Sequence, residues 1–232
     1  GKYFMLSSIL TFFVFNYLKF KIKLQEVIFG YSQIFCSINI LKIYFDTIQT
    51  YSIASESEQY TDYNHDFGDR VTKVLFKYYF FDVFVLNSFK FVGSFNRLMT
   101  IHHTISIIIF YFLRKYYYWS ELTILFGTIW KIADIPQAFY NGWVIPKELI
   151  GNYKDFFGRI NVSIRISSYT VPILIKYIKG VNYYNNYELK LSIIIIYLFQ
   201  FVFDSKTTMK FITDFTTWIY VIIFASFLLF YY

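Results

Sequence analysis

Apolar residues along this chain fall in long continuous runs rather than in alternation with polar ones. The runs are Tyr3–Leu18, Val27–Phe45, Val74–Val92, Leu98–Leu113, Leu122–Val144, Ile160–Ile178, Leu189–Phe203 and Phe211–Tyr232. A helix needs about 20 mainly apolar residues to cross the hydrocarbon core of a bilayer. Inside lipid only helices and closed barrels satisfy their backbone, and the period-two alternation of a barrel strand is missing. The pattern therefore predicts an all-α fold, a polytopic transmembrane helix bundle of about seven spanning helices. Leu189–Phe203 is short enough to be tilted or re-entrant. With no internal repeat, heptad run or Gly/Ser linker, the chain reads as an N-terminal transmembrane helix with a basic flank (1–23), a membrane core (24–180) and C-terminal transmembrane helices (181–232).

Polar residues punctuate these runs. Thr47–Arg70 carries Glu56, Glu58, Asp62, Asp66 and Asp69 and is expected to be an acidic loop on the side opposite Lys19, Lys21 and Lys23. Pro146–Arg159 is expected to be a second polar loop. Hydrophobic residues make up 56% of the 232 residues, above the roughly 45–50% of a soluble domain. Aromatics reach 25%, enough to supply interfacial belts. The net charge of +7 would suggest nucleic acid in a soluble protein. Here the basic residues stand at the ends of apolar runs, where they act as snorkelling anchors and topology signals. They occur on both sides, so membrane orientation stays open. The single cysteine, Cys36, allows no intrachain disulfide and no cysteine metal site. The chain opens on Gly1 rather than Met, as a processed or partial chain does, and Met5 stands where a myristoylation signal has Ser or Thr.

Ionisable residues within the apolar runs carry the chemical interest, because each costs about 2.5–3.5 kcal/mol at membrane depth unless paired or lining a cavity. Away from the ends of the runs they are Asp82, the adjacent His102 and His103, Lys131 with Asp134, and Arg165. Asp82 and Arg165 could form a structural ion pair between helices. Lys131 and Asp134, three apart, could pair on one helical face. Adjacent histidines point about 100° apart on a helix, so they do not share a face or a metal. A structural network and a functional cavity both fit this set. Several enzyme classes do not. Only three histidines occur, His65, His102 and His103, too few for a membrane di-iron hydroxylase or desaturase. No Gly-x-Ser-x-Gly elbow, P-loop or dinucleotide fingerprint is present. A transporter would show repeated halves. His65 among Asp62, Asp66 and Asp69 reads as part of a solvated acidic loop, and no metal site is expected.

The ordered motifs between Val27 and Ile178 resemble the TLC-domain family, which includes ceramide synthases and translocon-associated polytopic membrane proteins. Tyr79-Phe80-Phe81-Asp82 resembles the family's aromatic-aromatic-x-x-Asp segment. Met99-Thr100-Ile101-His102-His103 resembles its Met-x-x-His-His segment. Ala133-Asp134-Ile135-Pro136-Gln137-Ala138-Phe139-Tyr140-Asn141, with Trp143 close behind, resembles its later acid-and-proline run. Val162-Ser163-Ile164-Arg165-Ile166 resembles its hydrophobic-x-x-Arg-Ile helix, and Tyr31-Ser32-Gln33-Ile34-Phe35 its first core helix. The chain departs from the family at Asp134, where Glu is usual, at Ala138, where Pro is usual, and at Phe35, near which the family often has His.

The resemblance implies a TLC-like core around a lipid-accessible cavity, with acyl transfer from acyl-CoA to a lipid amine. His102 or His103 would then act as general base or acyl carrier, Asp82 would orient a histidine, and Asp134 would position the acceptor. Arg165, Asn141, Trp143 and Lys131 would contact lipid. Acyl-CoA is the implied co-substrate, with no resident cofactor. A lipid-binding protein without chemistry, and a non-catalytic accessory subunit of a larger membrane complex, such as a respiratory assembly, are the alternatives. The expected location is an integral membrane position in the endoplasmic reticulum, as the family implies, or in the mitochondrial inner membrane for a complex subunit.

Overall fold

The computed structural model describes residues 2–51, 59–88, 100–108, 111, 129–179 and 205–231. Among these residues there is no strand, and the fold is all-α as expected. Helices α1 (Lys2–Tyr17), α2 (Leu24–Tyr51) and α3 (Gln59–Ser88) come first. A helical stretch at residues 100–108 follows, then helical residues 129–132 leading into α4 (Asp134–Tyr140). The chain continues through α5 (Lys147–Ile150), α6 (Tyr153–Lys179), α7 (Ser205–Ile212) and α8 (Phe215–Tyr231). Among the described residues one helix, Leu24–Asp46 within α2, is long and apolar enough to cross a membrane; Met5–Tyr17 and Phe215–Leu229 are shorter apolar helices.

Three helix limits differ from the sequence expectation. The acidic stretch Thr47–Arg70 is largely helical: α2 runs to Tyr51 and α3 starts at Gln59. Charge marks contact with water, not loss of helix, and an Asp69–Lys73 pair at i, i+4 (2.5 Å) supports the polar end of α3. Likewise the expected loop Pro146–Arg159 contains α5 and the first turns of α6. The run Phe211–Tyr232 is broken at residues 213–214, where Asp214 accepts the Thr216 N–H at 2.9 Å and starts α8 as its N-cap. The expected span Leu189–Phe203, and the basic pair Arg114–Lys115, lie outside the described residues.

Contacts between helices fix their directions. Asp46 faces Arg70 at 3.7 Å and Ser32 bonds Asp82, so α2 and α3 are antiparallel. α2 also packs against α1 and α4, and α6 against α4 and α8. Ser163 donates to the Thr217 carbonyl (2.9 Å) and Ser167 to the Val221 carbonyl (3.4 Å), which makes α6 and α8 parallel. Small side chains along that seam let the two backbones approach closely. A Cβ on Gly30 would lie 2.7 Å from Cβ of Trp143, so glycine is what lets α2 meet the turn after α4.

The α1–α2 linker is tightly made. Phe20 N–H bonds the Phe15 carbonyl and Lys19 N–H the Asn16 carbonyl, both at 2.9 Å, the paired bonds of a Schellman ending. The Phe15 and Phe20 rings meet edge to face at 6.0 Å. Glycine usually holds the left-handed position of this motif. Lys19 occupies it with φ 64°, at a cost of about 1 kcal/mol relative to glycine.

Large apolar side chains stand outside as well as in the core, and several charged ones are buried. Leu10 (63% exposed), Phe84 (65%) and Ile222 (65%) face outward, whereas Asp82 (0%), Lys131 (2%) and Arg165 (5%) are inside. Apolar clusters make up the rest of the interior among the described residues. Cys36, Ile40, Val71, Leu75, Tyr78 and Tyr79 form one, and Phe29, Ala138, Trp143 and Val144 another.

Candidate functional site

The site is built at the meeting of α2, α3, residues 100–108, the 129–140 segment and α6. Pro136 shapes one wall. It has no N–H to offer the carbonyl of Ile132, so the helix through 129–132 yields to a turn at Ala133 before α4 resumes. The Gln137 N–H then bonds the Ala133 carbonyl at 3.2 Å. The Lys131 carbonyl accepts a hydrogen bond from Ser37 Oγ of α2 at 2.7 Å. This break allows Lys131 and Asp134 to point into the interior together.

Asp82 and His103 form the first half of the site. Ser32 Oγ lies 2.9 Å from Asp82 Oδ1 and 2.8 Å from the Phe29 carbonyl. The other oxygen, Oδ2, faces His103 Nδ1 at 3.6 Å, beyond hydrogen-bonding distance, and neither of these two buried atoms makes a hydrogen bond. Tyr78, one turn back on α3, is a further polar neighbour of Asp82. The His103 ring sits 4.8 Å from the Tyr79 ring and 5.4 Å from that of His102. His103 is buried and His102 half-buried, as the 100° offset of adjacent helical residues requires.

The second half is a chain of opposed charges. Lys131 Nζ pairs with Asp134 Oδ2 and lies 3.7 Å above the centre of the Tyr78 ring. Asp134 Oδ1 accepts from Arg165 at 3.2 Å. Arg165 Nε donates to Asn161 Oδ1 at 2.9 Å, its NH2 group also donates to Gln137, and its guanidinium lies 4.9 Å over the Trp130 ring. Two carboxylates and two cations balance when the histidines are neutral. Tyr78 and Tyr79 join the halves, since Lys131 reaches both rings.

The structure thus brings together Asp82, His103, Lys131, Asp134 and Arg165, with His102 at the edge. It does not place Asp82 against Arg165: Arg165 turns to Asp134 instead. Both oxygens of Asp134 are engaged by cations. Asn141 and Trp143 stand apart from the network. Asn141 ends α4 through its backbone N–H to the Gln137 carbonyl, and Trp143 packs edge to face on Phe29 at 4.7 Å in an apolar cluster. Sequence reading did not single out Asn161 and Gln137 as partners. Their signal is helical spacing, Asn161 four residues before Arg165 and Gln137 three after Asp134. Among the described residues no group of three or more His, Cys, Asp or Glu is placed to hold a metal ion.

No family model, curated protein or solved structure matches the chain.

Proposed function

We propose that this chain is a polytopic membrane protein with a TLC-like core, in which His103 and Asp82 carry out acyl transfer from an acyl-CoA to a lipid amine. The observation that carries this reading is the incompletely bonded, fully buried Asp82–His103 pair inside a bundle whose exterior is apolar. Buried polar atoms are nearly always satisfied, and those left over favour a site that works on something.

In the proposed reaction the amine nitrogen attacks the thioester carbonyl. His103 takes the proton lost by the amine through the ring nitrogen turned away from Asp82. The C–S bond then breaks, and the imidazolium returns the proton to the departing thiolate. Asp82 holds the ring in orientation and stabilises the imidazolium, a contribution of general base catalysis worth about 10²–10⁴ in rate. Lys131, Asp134 and Arg165 set the electrostatic surroundings without touching the reacting atoms. His102 lines the approach.

The test is amide formation by purified, lipid-reconstituted protein supplied with a long-chain acyl-CoA and a long-chain amine. Turnover that falls at least a hundredfold in His103→Gln and stays within a few-fold of wild type in Asn141→Ala supports the reading; a His103→Gln protein as active as wild type sinks it.

A second reading, a non-catalytic subunit of a larger membrane assembly, is favoured by the self-sufficient pairing of Lys131, Asp134 and Arg165. It expects the native particle to be much larger than one chain, and His103→Gln to leave that particle's activity intact.

A further inference from the structure

We infer that the α1–α2 linker is a binding site for anionic phospholipid headgroups, formed by Lys19 and Lys21. The inference rests on the membrane reading above, but not on the acyl-transfer chemistry.

Backbone geometry makes the linker a fixed comb. From Lys19 to Lys23 the side chains alternate: Lys19, Lys21 and Lys23 are exposed, Phe20 is half-buried and Ile22 is 6% exposed. The inward residues and the Schellman bonds tie down the backbone that carries these exposed lysines. Lys19 and Lys21 stand two residues apart, about 7 Å along an extended chain. Glycine would fill the left-handed position at Lys19 without strain. A charged residue kept there at an energetic cost is a reason to look for a partner.

Charge and depth name that partner. Lys23 has Glu26 at 3.7 Å, whereas neither Lys19 nor Lys21 has an ion pair among the described residues. The linker lies between α1, whose Leu6, Leu10, Phe13 and Tyr17 face outward, and the membrane-length helix that starts at Leu24. That is headgroup depth if α1 and α2 are embedded. Lys147 and Lys154 are at the same end of the bundle, as is Lys210, which is paired with Asp155. The antiparallel course of α2 against the 129–144 segment puts α5 there, and the parallel α6 and α8 start there. A lipid with net negative charge fits two unopposed ammonium groups at this depth; zwitterionic lipid does not.

The experiment compares wild type, K19G/K21Q and K19R/K21R in phosphatidylcholine nanodiscs with and without phosphatidylglycerol, counting retained phosphatidylglycerol by native mass spectrometry. Lys19→Gly removes the charge while relieving the left-handed strain, so K19G/K21Q should melt no lower than wild type in phosphatidylcholine. Its phosphatidylglycerol retention should fall about twenty-five-fold, as expected from roughly a fivefold contribution from each of the two lysines, and K19R/K21R should retain the lipid. Equal retention by wild type and K19G/K21Q overturns the site. So does a loss in K19R/K21R as large as in K19G/K21Q, since charge would then not be what binds. A wild-type chain that enters nanodiscs of neither composition overturns the membrane reading itself, a result separable from the other two.

Discussion

The Lys131–Asp134–Arg165 cluster and the Asp82–His103 pair share one buried interior, yet they are bonded to different degrees. In the cluster each charge faces an opposite charge, and the guanidinium's remaining donors reach Asn161 and Gln137. In the pair, Asp82 Oδ2 and His103 Nδ1 face each other across 3.6 Å without a bond. In a low-dielectric interior a complete network rigidifies the fold, while an incomplete one is expensive to keep. On the proposed reading the difference separates a structural centre from a working one, and it can be broken by experiment.

The largest effect is expected at Asp134. Asp134→Ala leaves Lys131 and Arg165 buried with no opposing carboxylate, a loss of about 3–5 kcal/mol. Most of the protein should then fail to reach a folded, monodisperse state in mild detergent, as read by size exclusion and thermal melting. His103→Gln should do the reverse, lowering acyl transfer by about 10²–10⁴ while the melting temperature stays near that of wild type. Equal destabilisation by the two substitutions would erase the distinction between the clusters.

A smaller change in the same sense is expected at Ser32. Ser32→Ala removes a hydroxyl that donates to Asp82 Oδ1 at 2.9 Å. A hydrogen bond to a buried charge is worth about 2 kcal/mol, so the melting temperature should drop, but less than for Asp134→Ala. Ser37→Ala, which loses a bond to a backbone carbonyl on the 129–133 turn, should lie nearer 1 kcal/mol. The opposite ranking would mean that the Asp82 carboxyl does not depend on Ser32.

How far the sequence reveals this depends on which physical signal is asked for. The all-helical class follows from continuous apolar runs, and the residues of the buried network are marked by being charged within those runs. Lys131 with Asp134 is readable as well, because residues three apart on a helix are neighbours. The partner of Arg165 is not. Two carboxylates deep in the apolar runs, Asp82 and Asp134, were available to it, and only the packing of α6 on α4 decides for Asp134. Helix limits were missed for a different reason. At Gln59–Arg70 polarity points to a loop, although a charged segment stays helical where a pair such as Asp69–Lys73 supports it. At Asp214 the apolar run hid a cap, for which Thr213-Asp214 ahead of Phe215 was the available sign.

The smallest effect belongs to an ion pair that, unlike the buried cluster, works in water. At the start of α8, Asp214 accepts from Arg159 Nε at 2.5 Å and from the Thr216 N–H at 2.9 Å. Arg159, then the Thr216 N–H, hold the Asp214 carboxyl below the usual carboxylate range. At Asp155 the Lys210 ammonium acts in the same direction. A carboxyl depressed in the folded state binds its proton more readily in the unfolded chain. The stability it adds is therefore present above the unfolded value and is lost as pH falls through the folded one. Wild-type protein should melt at lower temperature as the solution is acidified below about pH 4. Asp214→Asn keeps an acceptor for the Thr216 N–H but gives up the charge, so its melting temperature should depend less steeply on pH, with Asp155 supplying the remaining slope. Parallel pH profiles for wild type and Asp214→Asn would show that the Arg159 contact is screened away at the surface, leaving the backbone cap to begin α8 alone.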